Sequence, residues 1–145
     1  MIDERHPKFL GCAALSAGDF VHRAVEDADC IVNIGHDVIE KPPFFMRTGG
    51  PTVIHVSTRT AEVDPVYFPS IEVIGDIANA IWQMKEDIVP NGGWNFDKMI
   101  GYRKAELEHT GKLAADTRFP IFPPHLVRAV RGCMPEDGII CLDNG

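Results

Sequence analysis

Three short apolar runs rich in β-branched residues dominate the hydrophobic pattern of this chain. They lie at residues 28–35, 51–57 and 71–76, and the second and third runs predict strands at 52–57 and 71–74. Each run ends in a small or polar turn residue, as buried parallel strands do when helices cover both faces of a sheet. The pattern therefore predicts an α/β fold with a three-layer parallel sheet. In such folds a ligand binds in the crevice beyond the carboxyl ends of the strands.

Helical spacing of apolar residues predicts four helices, at about 16–28, 76–87, 95–115 and 125–131. Ser16 is the expected cap of the first helix, with Asp19 as its capping-box acid. Asp76 is the expected cap of the second helix. The third helix has only a thin apolar stripe, which indicates a solvent-exposed connecting helix.

Two further elements are predicted with weaker patterns, a helical turn at 61–63 and a fourth strand at 138–142. A short helix and one strand cannot bury a core of their own. The sequence is therefore interpreted as a fragment, or a truncated product, of something longer. Exposed apolar sheet edges on such a fragment predict self-association, or pairing with a complementary chain.

The segment after Gly35 carries His36 and then the apolar group Phe44, Phe45 and Met46. Two interpretations stay open for this apolar group. It packs on its own domain, or it forms a wall of a ligand crevice or a subunit contact. His55 lies in mid-strand and is interpreted as a core histidine with satisfied hydrogen bonds, whereas His36 follows a strand-end glycine and is the better functional candidate.

Composition narrows the class of protein. The 145 residues carry a net charge of −7 and are 45% hydrophobic, which indicates a globular chain and argues against a nucleic-acid or anionic-membrane partner. The polar N-terminus does not resemble a secretory signal, so a cytoplasmic location is expected. The four cysteines are widely spaced, which favours small buried thiols over a disulfide or zinc site.

Sequence runs that follow one another along the chain carry a resemblance to a known family. They are Glu4-Arg5-His6-Pro7 with Gly11, the run at 28–35, Val53-Ile54-His55-Val56 with Ala61-Glu62-Val63, Ile74-Gly75-Asp76-Ile77, Pro123-Pro124-His125-Leu126 and Ile139-Ile140-Cys141-Leu142-Asp143-Asn144-Gly145. In this order they resemble the large subunit of acetolactate synthase and related thiamine diphosphate-dependent enzymes. The match covers nearly the whole chain.

The resemblance implies three parts. Residues 1–90 correspond to a partial central domain with a Rossmann-like sheet, 91–122 to a linker with a helix, and 123–145 to the start of the diphosphate-binding domain. The full-length parent would use thiamine diphosphate and Mg²⁺ to decarboxylate a 2-oxo acid such as pyruvate and to transfer the two-carbon unit to a second 2-oxo acid.

The family's activating glutamate and its Gly-Asp-Gly metal motif have no counterpart in this sequence. The chain alone is therefore expected to be inactive, with no catalytic and no metal-binding residue. The alternative is a non-catalytic nucleotide-binding or assembly module with the same half-domain. A homo-oligomer or a complementary chain is the expected partner, with no nucleic acid and no membrane.

Cofactor-binding residues follow from the resemblance by position. They are Gly35, His36, Ser57, Gly75 and Asp76 in the central crevice, and Asn144 and Gly145 near the cofactor's diphosphate. A plain turn is the alternative for the last two residues.

The central crevice of acetolactate synthases often holds FAD, but this sequence departs from that pattern. Asp37 stands near a position where the family commonly has an arginine, and a carboxylate there would repel pyrophosphate. Ser57 and Arg59 stand where the family has aspartates. No Gly-x-Gly-x-x-Gly fingerprint is present. A crevice that is empty, or that holds another nucleotide, is the alternative to FAD.

Overall fold

A computed structural model describes residues 3–13, 18–36, 46–63 and 65–141. The chain divides into two compact units, Met1–Arg103 and Lys104–Gly145. Its elements in chain order are α1 (Phe20–Glu26), β1 (Cys30–Ile34), β2 (Thr52–Ser57), β3 (Ile71–Ile74), α2 (Ile77–Asp87), α3 (Asp97–Ala114) and α4 (Pro123–Cys133).

The three strands form one parallel sheet in the order β1-β2-β3. This confirms the predicted α/β class and the predicted bounds of β2 and β3. Burial on both faces holds only for the central strand, where Val53 and Val56 are fully buried. The prediction is wrong for the two outer strands, where residues such as Val32 and Ile71 are about half exposed. An outer strand has a neighbour on one side only, so its apolar pattern does not bury it.

Helix starts follow the side chains that cap them. Asp76 Oδ1 accepts a hydrogen bond from Asn79 N at 2.7 Å and caps α2, as predicted. α1 begins at Phe20 because Asp19 Oδ1 accepts from His22 N at 2.6 Å. Asp19 thus takes the role predicted for Ser16, which lies outside the described residues.

Two predicted elements are absent from the part of the chain that the structure describes. Residues 61–63 form no helical turn, because Ala61 N donates to Glu72 Oε1 at 2.7 Å and ties this stretch to β3. Residues 138–141 form no strand, and Ile139 is 87% exposed. An apolar run becomes a strand only when another strand pairs with it.

Three buried side chains form a hydrophobic cluster on one face of the sheet. It contains Met46, Val53 and Tyr67, with Ile31 and Ala61 packed against it. Two interpretations were open for the apolar group that includes Met46. For Met46 the cluster supports the first, because this side chain packs on its own domain. The neighbouring Phe44 and Phe45 lie outside the described residues.

All four cysteines are exposed and none is in a disulfide. The expectation of buried thiols is therefore wrong. Cys30 begins an outer strand and Cys141 lies in a segment without secondary structure, so neither is covered by another element. Among the described residues, no helix combines the length and apolar character needed to cross a lipid bilayer.

An ion pair and a hydrogen bond tie α3 to the end of α1. Lys98 Nζ lies 2.8 Å from Asp27 Oδ1, and the Tyr102 hydroxyl donates to Asp27 Oδ2 at 2.7 Å. The hydrogen bonds from Lys98 and then Tyr102 lower the pKa of Asp27, and the same contact raises the pKa of Lys98. The only buried residue of α3 is Ala114, which confirms the predicted exposed helix.

Replacing Asp27 with Asn should produce a pH-dependent loss of thermal stability. A lowered folded-state pKa stabilises the fold above the ordinary aspartate pKa of about 4, and this contribution disappears as pH falls through the folded-state value. The difference in Tm between the native chain and Asp27→Asn should therefore be constant near neutral pH and close on acidification. Glu108→Gln, at an exposed position of α3, is the matched control. A difference that persists undiminished under strongly acidic conditions would contradict this account.

Candidate functional site at the carboxyl edge of the sheet

The strand ends lie side by side at one edge of the sheet. Gly35 N donates to Val56 O at 2.9 Å, and Gly75 N donates to Ser57 O at 2.9 Å. Gly35, Ser57 and Gly75 therefore occupy adjacent positions across the three strands, as their spacing in the sequence predicts for parallel strands.

Two further predicted site residues come next to these glycines along the chain. His36 and Asp76 come immediately after Gly35 and Gly75, so the edge brings together all five of the predicted crevice residues. The predicted diphosphate residues Asn144 and Gly145 lie outside the described part of the chain, as does Asp37.

The end of β1 closely approaches the first turn of α2. Gly35 has φ +63°, a left-handed conformation that favours glycine. A Cβ atom at Gly35 would lie 3.5 Å from Ile77 Cδ1, which is ordinary contact. The glycine is therefore required for the backbone turn rather than for space.

A buried histidine connects the core to the segment that follows β2. His55 is 4% exposed, and its Nδ1 lies 2.7 Å from the Tyr67 hydroxyl. Its Nε2 lies 3.0 Å from the carbonyl oxygen of Arg59. Both ring nitrogens have partners, which confirms the interpretation of His55 as a satisfied core histidine.

The partners of His55 determine where its proton resides. A carbonyl oxygen only accepts, so His55 Nε2 carries the hydrogen and donates to Arg59 O. In the neutral ring Nδ1 is then an acceptor, and the Tyr67 hydroxyl donates to it. The Tyr67 oxygen in turn accepts from Asn33 Nδ2 at 3.2 Å. The hydrogen bonds thus run in one direction, from Asn33 through Tyr67 and His55 to the backbone of Arg59.

Burial keeps the Tyr67 phenol protonated. Tyr67 is 1% exposed, and this burial raises the pKa of its hydroxyl above the ordinary tyrosine value, against the opposing effect of the Asn33 hydrogen bond. The His36 ring lies 5.9 Å from the Tyr67 ring, centre to centre. His36, which follows β1, therefore contacts the same core tyrosine that forms a hydrogen bond with His55.

The segment after β2 is held at two points. His55 binds the carbonyl of Arg59, and Glu72 accepts from the backbone N–H of Ala61 at 2.7 Å. Ser57 is buried at the end of the strand, whereas Arg59 is exposed. The two anchors fix the backbone on both sides of Thr60, so Arg59 leaves the sheet edge from a defined position.

The described edge does not fit a pyrophosphate bound by strand-end backbone N–H groups. The N–H groups of Gly35 and Gly75 are used within the sheet. The α2 N-terminus is already capped by the Asp76 carboxylate, which bonds Asn79 N. Phosphate would meet that negative charge. Among the described residues, no three His, Cys, Asp or Glu side chains come together as metal ligands.

Sequence reasoning missed Tyr67 as a partner of His55, and Asn33 as a partner of Tyr67. The signal was present, because Asn33 and His55 interrupt two otherwise apolar strands, and buried polar groups in a folded protein have hydrogen-bond partners. The register places them opposite each other on β1 and β2. A nearby residue with an apolar ring and a hydroxyl, such as Tyr67, is the kind of side chain that could bind both.

Replacing Gly35 with Ala should destabilise the fold by about 1–2 kcal/mol, because an alanine is strained in the left-handed conformation. Gly111 is a matched control within α3, where an added Cβ meets nothing within 4 Å. Gly111→Ala should stabilise by about 0.5–1 kcal/mol. Urea unfolding of both variants measures the difference. Two changes of the same sign would be inconsistent with the backbone described for Gly35.

Replacing Tyr67 with Phe should cost about 1–3 kcal/mol, because it leaves His55 Nδ1 and Asn33 Nδ2 without their hydroxyl partner in a buried site. Tyr102→Phe, which removes the hydroxyl that bonds exposed Asp27, should have a clearly smaller effect. Chemical unfolding measures both, and equal losses would show that the buried network does not stabilise the fold.

Comparison with known proteins identifies the family. Residues 1–84 match the family model for the central domain of thiamine pyrophosphate (thiamine diphosphate) enzymes. The chain is 39% identical over 124 residues to the acetolactate synthase of Bacillus subtilis (strain 168), across 83% of this chain and 22% of that protein. It is 25% identical over 145 residues to the catabolic acetolactate synthase of Raoultella terrigena, across 95% of this chain and 25% of that protein.

The chain therefore spans about a quarter of the length of these relatives. The family-model match covers more than half of the chain, and the parallel sheet agrees with it. This chain belongs to the thiamine pyrophosphate enzyme family, through the central domain of those enzymes.

Proposed function

We propose that this chain is the central part of a thiamine diphosphate-dependent 2-oxo acid carboligase of the acetolactate synthase type, and that it is inactive alone. The observation that carries the proposal is the 39% identity to the Bacillus subtilis acetolactate synthase over most of this chain. The carboxyl edge of the sheet, with its tight turn at Gly35, supports a retained central-domain crevice.

Within the parent, each of the three parts of this sequence has its own structural role. Residues 1–90 form part of the central domain, 91–122 link it, and 123–145 begin the diphosphate-binding domain. When bound to the parent, thiamine diphosphate with Mg²⁺ supplies the electron sink for decarboxylation of the 2-oxo acid. The contribution of this chain is to hold the central sheet and its crevice edge, with Asn144 and Gly145 approaching the diphosphate.

The edge of β1 that faces away from β2 pairs with no described strand, and it is the proposed contact with the rest of the parent, or with another copy. Gly35 and Asp29 direct backbone groups toward β2, at 2.9 Å from Val56 O and 3.0 Å from Thr52 N. By strand alternation, Val32 and Ile34 present their backbone groups to the open edge. An edge strand with no proline and no charge is a ready template for a further strand.

The test is a transplant into a relative. This chain replaces the aligned segment of the Bacillus subtilis acetolactate synthase, and acetolactate formation from pyruvate is measured with thiamine diphosphate and Mg²⁺. We expect activity from the chimera, none from this chain alone, and none from the synthase with the segment deleted.

Two results would overturn the proposal. Acetolactate produced by this chain alone would refute its dependence on a parent. A chimera that is folded, assembles as the parent synthase does and still makes no acetolactate would favour a non-catalytic module with the same half-domain. Circular dichroism and gel filtration establish the folded state in that case.

A further inference from the structure

We propose that a pocket between residues 8–10 and the start of α3 binds a short aliphatic monocarboxylate, with the carboxylate on Lys8 and the alkyl chain among apolar side chains. The pocket has a volume of about 120 Å³, and its lining is Lys8, Leu10, Phe96, Met99 and Ile100. All of these residues belong to the first compact unit, and none lies at the carboxyl edge of the sheet. The inference is therefore independent of the proposed carboligase function.

The apolar part of the lining determines which ligand body fits. Four of the five side chains are apolar, and three of these, Leu10, Phe96 and Met99, are half-buried. Such walls hold water poorly, because an enclosed water needs two to four polar partners. An alkyl chain in the pocket removes apolar surface of both ligand and protein from water. The lining therefore favours a hydrocarbon chain over a sugar or a phosphate.

Lys8 supplies the one charged group of the lining. Its Nζ lies 4.7 Å from the centre of the Phe96 ring. Because Phe96 is itself a wall of the pocket, the ammonium lies at the rim. Among the described residues, no carboxylate forms an ion pair with it. A cation at the rim of an otherwise apolar pocket is complementary in charge to an anionic head group on an apolar body.

Contacts on both sides hold the rim in place. Phe9 N donates to His6 O at 2.9 Å, and Lys8 N donates to His6 Nδ1 at 3.2 Å, which forms a turn at residues 6–9. The Arg103 guanidinium lies 5.5 Å from the centre of the Phe9 ring. The N-terminal segment and α3 thus each place a cation over an aromatic ring of the other. A site with fixed walls loses less conformational entropy on binding.

The volume of the pocket sets the length of the alkyl chain. A group of water or methylene size takes up about 30 Å³, so the pocket accommodates about four such groups. Pentanoate fills it, whereas the end of an octanoate chain would extend into solvent. Each buried methylene tightens binding about fourfold. The affinity should therefore rise with each carbon up to about pentanoate and then level off.

Methyl ¹H–¹³C spectra of the full chain at low salt test the proposal. The probes are butanoate, pentanoate, hexanoate and octanoate, with 1-pentanol and pentylammonium as the uncharged and cationic analogues. We expect pentanoate to shift the methyl signals of Met99 and Ile100 with a Kd of about 1–10 mM, and to leave the methyl signals of Ile81 on α2 in place. 1-Pentanol should bind about 2- to 5-fold more weakly than pentanoate, and pentylammonium more weakly still.

Variants separate the head-group contact from the pocket. Lys8→Gln should weaken pentanoate binding about 2- to 5-fold and remove the preference over 1-pentanol. Lys85→Gln, at an exposed position of α2, is its matched control and should have no effect. Ile100→Phe adds about three carbons to the lining and should weaken pentanoate binding at least about tenfold. Its matched control is Ile81→Phe, because Ile81 is 44% and Ile100 42% exposed.

Several results would overturn the proposal. These are no shift of the Met99 and Ile100 methyl signals with any carboxylate, equal affinity for pentanoate and 1-pentanol, or equal losses in Lys8→Gln and Lys85→Gln. An affinity that keeps rising through octanoate would also reject it, because it indicates non-specific adsorption of amphiphiles. The acetolactate assay of the chimera is a separate readout. An active chimera with no carboxylate binding rejects this inference alone, whereas an inactive chimera with selective binding rejects only the carboligase function.

Discussion

The side chain of His55 is the interaction on which the organisation of the crevice edge depends. It lies on the central strand β2 and uses both ring nitrogens, one for the Tyr67 hydroxyl and one for the Arg59 carbonyl. Through these bonds one buried residue sets both the packing of the core and the course of the segment after the strand. A partly satisfied network would destabilise the core, because buried polar groups without partners are costly.

This arrangement explains how a small parallel sheet can present a defined ligand edge. Among the described residues, the buried cluster on this face of the sheet consists of Met46, Val53 and Tyr67, with two partly buried neighbours. Hydrophobic packing alone gives such a small cluster little directional preference. The hydrogen bonds from Asn33 to Tyr67 and from Tyr67 to His55 add direction, because each group has one compatible role.

Sequence reasoning was most successful where a local rule determines the structure. β2, β3 and the start of α2 follow from β-branched runs and from the capping chemistry of Asp76. The adjacency of Gly35, Ser57 and Gly75 follows from parallel pairing.

It failed where the structure depends on tertiary partners. The run around Cys141 has the pattern of a strand but no partner strand among the described residues. Cys30 is exposed because no described element covers the start of β1. Tyr67 was missed because its role depends on residues of two strands that are distant in sequence. The local pattern shows that Asn33 and His55 need hydrogen-bond partners, but it does not show which residue supplies them.

The tautomer of His55 is the most direct test of this account, and it can be observed without any ligand. Long-range ¹H–¹⁵N correlation spectra of imidazole nitrogens distinguish the two neutral tautomers. For the neutral ring we expect a single tautomer with the proton on Nε2, because Arg59 O can only accept and Nδ1 is then left to accept from the Tyr67 hydroxyl. A proton on Nδ1, or a rapidly exchanging mixture of tautomers, would contradict the connection between the core and the crevice edge.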